Sequence, residues 1–286
     1  MTIPCLTDFV SDSALRALTF EANVTPKPGL VDRNNVGAHP DMTLDMLIKS
    51  AEAISPYIGK CAQSGFSTRN LPPEIAFESL KTIGLQAERA MFQATNGTNT
   101  HKGAIFCFCL LSGGYGRLIE TKSVTPESIC ETASRMSEKA MRFSLTNAKS
   151  NPLTHGDAAY RLKSIAGARG EALTGYPSLL NIALPAFAHA QQMGFPLNDA
   201  GVYTLLSLIA NVDDTCIYTR GGSEGIALAQ SLAAKALSSG FMTEAENMDS
   251  IFIKKRLSPG GCADLLAAAM FIKILTSTER EEYTCE

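Results

Sequence analysis

The sequence predicts an all-α protein, a single-domain bundle of many helices that spans residues 1–286. Apolar residues recur at intervals of three and four along most of the chain, which is the pattern of one buried helix face. Segments of alternating β-branched residues, which would indicate strands, are almost absent. Glycine and proline do not gather into one linker, so we expect no domain boundary. At 45% hydrophobic and 19% charged, the composition is sufficient for a packed core.

Helix starts and ends follow from capping residues and breakers. The helix predicted at 11–21 opens with Ser and Asp, and the one at 73–95 begins with a proline at a tolerated early position and glutamate near its front. The other predicted helices are 43–61, 102–120, 126–142, 177–193, 198–211, 223–238, 243–255 and 262–277. Residues 23–40, NVTPKPGLVDRNNVGAHP, form a long irregular segment, which predicts a functional loop or, alternatively, a surface loop.

Charge and cysteine usage limit the function classes. A net charge of −3 and a pI near 5.9 provide no long-range attraction for nucleic acid or an anionic membrane. The N-terminus lacks a signal-peptide pattern, and the apolar stretch at 104–111 is too short to cross a bilayer. We therefore expect a cytoplasmic protein. The eight cysteines have no framework spacing, which favours buried reduced thiols over a zinc site.

Four polar stretches carry candidate chemistry. In NVDDTCIYTRGGSEG (211–225), the adjacent Asp213 and Asp214 suggest a metal, and Arg220 with Gly221 and Gly222 suggests a phosphate. In NTHKGAIF (99–106), His101 and Lys102 start an apolar helix and either bind an anion or form a polar cap.

The other two stretches have structural alternatives as well. GARGEALTGYP (167–177) is a glycine-flanked turn in which Arg169 and Glu171 contact substrate or form a structural salt bridge. LSPGGCADLL (257–266) brings backbone amides close to a ligand, with Asp264 in the first turn of the next helix, or is simply a capped helix start. Phosphate loops, dinucleotide-binding glycine motifs and zinc-protease motifs are missing.

Taken together, five stretches resemble the triphosphoribosyl-dephospho-CoA synthase family in order and spacing, from about Glu21 to Leu266. They are EANVTPKPGLVDRNNVGAHPDM, TNTHKGAIF, AGARGEALTGYPSLLNIALP, DDTCIYTRGG and LSPGGCADLL. The resemblance implies an all-helical enzyme that transfers the 5-triphosphoribosyl group of ATP to 3′-dephospho-CoA and releases adenine. Its product is the precursor of the prosthetic group of citrate lyase or malonate decarboxylase. This product passes to a holo-acyl-carrier-protein synthase. The oligomeric state stays open.

That reaction breaks an N-glycosidic bond and moves no phosphoryl group, so a phosphate loop is not required. It needs carboxylates for oxocarbenium-like charge and for a general base, and Mg²⁺ with Arg and Lys for the triphosphate. The resemblance locates Asp32, Asp41 and Glu171 without assigning their roles, and we expect these three to be catalytic. The adjacent carboxylates Asp213 and Asp214 are costly without a cation, so we expect them to bind Mg²⁺. Candidate substrate-binding residues are Lys27, Arg33, His39, His101, Lys102, Arg169, Arg220, Gly221, Gly222 and Asp264.

Two positions depart from the family pattern. Cys216 stands where the family typically has Asn, and Cys262 replaces a usual Ser. A non-catalytic nucleotide-binding paralogue therefore stays open. A second alternative is a Mg²⁺-dependent hydrolase, because the run Asp213-Asp214-Thr215 is also similar to the metal-binding acids of the ADP-ribosyl glycohydrolases.

Overall fold

All regular structure in the described residues is helical. The computed structural model describes residues 3–121, 123–150, 165 and 167–277. The elements in chain order are α1 (Ile3–Asn23), α2 (Leu44–Ser67), α3 (Pro73–Ala94), α4 (Lys102–Leu118), α5 (Pro126–Ser150), α6 (Gly167–Thr174), a π-helical turn (Leu179–Ala183), α7 (Leu184–Gln192), α8 (Leu197–Asn211), α9 (Thr215–Ser238), α10 (Phe241–Lys255) and α11 (Gly260–Thr276). The all-α prediction is confirmed, whereas the single-domain assignment stays a prediction.

Two local predictions were wrong. The stretch 167–174, expected as a turn, is the short helix α6. The glycine pair at 221–222, expected to precede a helix, lies inside α9, which starts already at Thr215. Gly222 adopts φ 62° and ψ −160°, so the chain kinks there instead of ending a helix. A positive φ of this kind is accessible to glycine without the steric cost of a side chain.

The centre of the core is formed by α4 and α11, whose residues are buried on nearly every side. A helix that is apolar all round has no face for solvent and must be enclosed by others. Phe108 of α4 stacks on Phe271 of α11 with ring centroids 4.6 Å apart. Around this pair pack α1, α2, α5, α8 and α9. The starts of α4 and α11 are thereby fixed relative to each other.

The irregular segment 24–43 between α1 and α2 is held by buried carboxylates. Asp249 of α10 accepts hydrogen bonds from the Gly29 N–H at 2.8 Å and from Asn35 Nδ2 at 2.9 Å. Asp32 accepts from the N–H groups of Lys27, Asn34 and Asn35 at 2.7–3.1 Å. Buried backbone groups need such partners, so this segment, which we call the α1–α2 loop, has a fixed course.

Seven of the eight cysteines lie in the described residues, and all seven are free thiols. Five are buried, as expected, but Cys216 is exposed; Cys285 lies outside the described residues. None of the described helices has both the length and the apolar character needed to cross a bilayer.

Candidate functional site

A cavity of about 510 Å³ opens between the end of α1, the α1–α2 loop and the starts of α4, α9 and α11. Four of the five sequence stretches that carry the resemblance contribute to its lining. Of the fifteen predicted site residues, seven line it: Lys27, His39, Asp41, His101, Lys102, Arg220 and Asp264. Three helix starts point their positive dipole ends toward this space, which favours an anionic ligand.

The floor of the cavity contains a buried ion pair. Lys27 Nζ lies 2.6 Å from Glu21 Oε1 and donates to the Glu21 carbonyl at 2.8 Å, and both residues are less than 10% exposed. Removing either partner of such a pair leaves an uncompensated buried charge. Our sequence analysis missed Glu21. The available signal was its position as the first residue of the long EANVTPKPGL motif.

Asp264 lies beside this pair, on the first turn of α11. A Cβ on Gly103 would overlap Asp264 Oδ2, so glycine at this point of α4 permits the close approach. The Ala104 N–H donates a hydrogen bond to the carboxylate. Burial, and then the nearby Glu21 and Asp214 carboxylates, raise the pKa of Asp264 well above its ordinary value. The charged form of this side chain is therefore less favoured than that of an exposed aspartate.

His101 lines the same floor and is buried. Its Nδ1 lies 2.8 Å from Ser50 Oγ, which accepts a hydrogen bond from Thr100 Oγ1 at 2.7 Å. The Ser50 proton is then free to bond Nδ1, which assigns the ring hydrogen to Nε2. Nε2 is buried and has no hydrogen-bond partner among the described residues. Burial, and then Lys27, lower the pKa of His101 to about 4, so the ring is neutral at pH 7.

The mouth of the cavity carries the cationic Arg220. Its guanidinium donates to the carbonyls of Ala38 at 3.0 Å and Arg256 at 3.3 Å, and to His39 Nδ1 at 3.3 Å. The other nitrogen of His39 lies 2.7 Å from Ser258 Oγ. Burial, and then Arg220, lower the pKa of His39 to about 4. Arg220 therefore joins the α1–α2 loop to the turn before α11.

Two further charges lie at the mouth. Asp41 is exposed and makes no hydrogen bond or ion pair with the other described residues. Lys102, whose side chain is 56% exposed, lies 3.1 Å from Glu88 Oε2. Both side chains can turn toward a ligand at little cost because solvent still surrounds them.

Asp213 and Asp214 do not form a pair facing the cavity. Asp214 is buried, and its Oδ1 accepts from the N–H groups of Cys216 at 2.6 Å and Ile217 at 3.1 Å. Its Oδ2 accepts from the Cys262 N–H at 2.8 Å, so one carboxylate caps the starts of both α9 and α11. Asp213 is exposed and accepts from Gln230 Nε2 at 3.1 Å. This geometry does not support a Mg²⁺ site shared by the two residues.

Asp32 and Arg33 lie outside the cavity lining. Asp32 accepts three backbone N–H bonds of its own loop, as described above, so its observed contacts are structural. Arg33 faces solvent and donates to Thr25 Oγ1 at 3.3 Å and Asn198 Oδ1 at 3.0 Å. Both residues support the shape of the α1–α2 loop.

The remaining predicted residues also have structural contacts outside the lining. Glu171 accepts from Ser178 Oγ at 2.6 Å and from the Ser178 N–H at 3.1 Å. Burial raises its pKa, although these two bonds oppose the rise. Arg169 donates to Ser144 Oγ at 2.9 Å. Gly221 and Gly222 form the kink of α9, where a Cβ on Gly221 would meet Leu257.

The two departures from the family pattern have different contacts. Cys216 is exposed and lines the cavity, so its side chain is placed to meet a ligand. Cys262 is buried, and both its N–H and its thiol bond Asp214. The backbone bond does not depend on the side chain, so this part of the cap does not require a serine at 262.

A family model described as ATP:dephospho-CoA triphosphoribosyl transferase matches residues 7–282. The chain belongs to this family. The resemblance found in the five sequence stretches is therefore confirmed, and the cavity is a candidate active site of a transferase.

Relatives and a solved structure agree with the family. A Salmonella gallinarum protein named "Probable 2-(5''-triphosphoribosyl)-3'-dephosphocoenzyme-A synthase" is 40% identical over 264 residues, which cover 90% of this chain and 87% of that protein. A Vibrio cholerae serotype O1 protein with the same name is 40% identical over 272 residues, covering 92% and 87%. A crystal structure from Archaeoglobus fulgidus, described as a triphosphoribosyl-dephospho-CoA synthase, has a TM-score of 0.50 at 16% identity and covers 76% of this chain and 98% of its own. At that identity it supports the fold alone.

The double cap predicts different outcomes for two adjacent, chemically identical substitutions. Asp214→Asn would turn an NH₂ group toward an N–H donor that now bonds a carboxylate oxygen. We expect it to lower the free energy of unfolding by roughly 2–4 kcal/mol. Asp213→Asn, at the exposed neighbour, should leave stability nearly unchanged. Urea unfolding without Mg²⁺ measures both, and equal stability of the two variants would contradict the cap.

The buried His101 predicts a pH effect on stability. Its pKa is depressed in the folded protein, so the stabilisation from its neutral form is present above 6.5 and is lost as pH falls toward 4. His101→Asn removes this titration but keeps an amide near Ser50. The difference in unfolding free energy between wild type and variant should therefore shrink by roughly 3 kcal/mol from pH 7.5 to pH 4. A constant difference across this range would mean that His101 titrates normally.

Proposed function

We propose that this protein transfers the 5-triphosphoribosyl group of ATP to the 2′-hydroxyl of 3′-dephospho-CoA and releases adenine. The observation that carries the proposal is the cavity, in which motifs from four separate parts of the chain meet. Its mouth carries cationic side chains, and its floor carries a compensated ion pair and further hydrogen-bonding groups, while three helix starts line the space. This division of charge suits a substrate with a polyanionic tail and an uncharged base.

The triphosphate would bind at the mouth. A guanidinium has five N–H donors, and three of those of Arg220 are used by Ala38, Arg256 and His39. The other donors are available for a phosphate oxygen in a charge-assisted contact. Lys102 and the starts of α4, α9 and α11 add positive potential, although Asp214 and Asp264 already occupy part of their N–H groups.

The cavity also fits a Mg²⁺ ion that arrives with ATP. No group of three or more His, Cys, Asp or Glu side chains in the described part of the chain is arranged to hold a metal. Mg²⁺ on a nucleotide does not need such a group, since it keeps several waters and takes one or two carboxylates plus phosphate oxygens. Asp41 is the exposed cavity carboxylate without a partner among the described residues, and it would provide that ligand. The ion would neutralise the triphosphate.

The biological setting follows from the product. A triphosphoribosyl-dephospho-CoA would be handed to a holo-acyl-carrier-protein synthase that serves citrate lyase or malonate decarboxylase. We propose a cytoplasmic location for this route.

The first test is product analysis with ATP, Mg²⁺ and dephospho-CoA. We expect adenine release only when all three are present, with the triphosphate intact on the transferred ribose. Asp41→Asn should raise the Mg²⁺ concentration needed for half-maximal release. The assay uses chromatography of adenine and of the nucleotide products.

Other products would contradict the proposal in distinct ways. Adenine release without dephospho-CoA would indicate a hydrolase acting on the same ribosyl carbon. Nucleotide binding without release of adenine would indicate a non-catalytic paralogue. ADP or pyrophosphate as the main product would indicate phosphoryl or nucleotidyl transfer.

Arg220 provides the test of phosphate binding at the mouth. Arg220→Ala removes a charge-assisted contact that would be equally present in the ground state and the transition state. The KM for ATP should rise by an amount equivalent to roughly 1.5–3 kcal/mol while kcat changes much less. Arg135→Ala, which removes an exposed arginine whose ion-pair partner among the described residues is Glu131 on α5, serves as the matched control. An unchanged KM in a folded Arg220→Ala variant would remove this residue from the site.

A further inference from the structure

The floor of the cavity contains neutral polar groups whose role phosphate binding does not explain. The buried positive charge of Lys27 is compensated by Glu21 at 2.6 Å. Beyond this pair, the floor is lined by Asp264 and by His101, whose buried Nε2 has no partner among the described residues. The Nε2–H of His101 and a protonated Asp264 carboxyl are hydrogen-bond donors. A ligand group that fits them is uncharged and has more than one acceptor.

An adenine ring has these properties, since its ring nitrogens are acceptors and it has no charge at neutral pH. The polyanionic end of the same nucleotide matches the mouth, where Arg220 and Asp41 lie. ATP would therefore bind with its base inward and its phosphates outward. In this orientation the bond between base and ribose lies between the two ends of the cavity.

We propose that the cavity floor receives the adenine of ATP, and that Asp264 is the catalytic acid that protonates this base as it leaves. The proposal rests on the proposed function. It assigns the proton-transfer step to a residue on α11 that packs against the backbone of α4 at Gly103 and Ala104. His101 holds the base by donating its Nε2–H to a second acceptor.

The step is balanced without any further reactant. The bond between the adenine nitrogen and ribose C1′ breaks, and its electron pair goes to adenine. Asp264 gives its proton to a ring nitrogen of that base. The 2′-hydroxyl oxygen of dephospho-CoA forms a bond to C1′ and loses its proton to solvent. Solvent then returns a proton to the Asp264 carboxylate. In each turnover one proton passes from the hydroxyl to adenine.

The surroundings of Asp264 keep its proton in place until the bond breaks. The titratable groups that face it are Glu21 of α1, Asp214 before α9, Cys216 of α9, Cys107 of α4 and Cys262 of its own helix. Ionised carboxylates among these disfavour a further negative charge. The Ala104 N–H has the opposite effect, because it stabilises the carboxylate that forms after proton transfer.

The experiment compares two ribosyl donors in wild type and in Asp264→Asn. The first donor is ATP, and the second is the 5-triphosphate of 4-nitrophenyl β-riboside, whose leaving group departs without protonation. Asp264→Asn should lower kcat with ATP by about 10²–10⁴-fold, the usual contribution of a general acid. With the nitrophenyl donor the loss should be below about tenfold. Asp45→Asn, an exposed acid on α2 outside the cavity, should change neither rate.

An equal loss with both donors would overturn the role of Asp264, because the residue would then act on a step that the donors share. If Asp264→Asn does not fold, the pH profile of wild type decides instead. The ATP rate should fall as pH rises and Asp264 loses its proton, while the nitrophenyl rate should lack this decline. Identical profiles would contradict the proposal. A wild type that releases no adenine from ATP and dephospho-CoA would contradict the proposed function itself, which is a separate outcome.

Discussion

The position of two helix starts depends on one buried carboxylate. Asp214 accepts backbone hydrogen bonds from Cys216 and Ile217 with one oxygen and from Cys262 with the other. The starts of α9 and α11 are thereby fixed against each other, and both line the candidate active site. Charge-assisted bonds of this kind are among the stronger ones in proteins, and a buried acceptor that loses its donors is costly. The geometry of the cavity thus depends on a residue that does not line it.

The net charge of the groups that line the cavity differs between its floor and its mouth. At its floor, the Lys27 charge is compensated by Glu21, and burial favours the neutral forms of Asp264 and His101. At its mouth, the charged groups remain near solvent. Desolvating an isolated charge is expensive, so net charge at the floor would oppose the folded state. The same distribution lets one site hold a polyanion and an uncharged ring in a defined direction.

Sequence reasoning predicted the helical class and most helix positions, because the spacing of buried side chains is a local property. It could not predict which polar residues of one motif face the cavity. Asp32 and Asp41 lie in the same stretch, yet Asp32 bonds its own backbone and Asp41 faces the ligand space. The difference comes from contacts with residues distant in sequence, such as Asp249 with Gly29. The start of α9 was missed for a similar reason, since Gly221 packs against Leu257, which is distant in sequence, and the helix continues through the kink at Gly222.

The buried pair of Lys27 and Glu21 also restricts how the family can diverge. Replacing either residue alone leaves an unpaired charge in the interior, which costs about 3–5 kcal/mol. This cost is a large part of the free energy of unfolding of a typical domain. An evolutionary path that exchanges the pair must pass through such an intermediate or change both codons together. We therefore expect the two positions to covary. A lineage that has lost one of the two residues should also have lost or replaced the other.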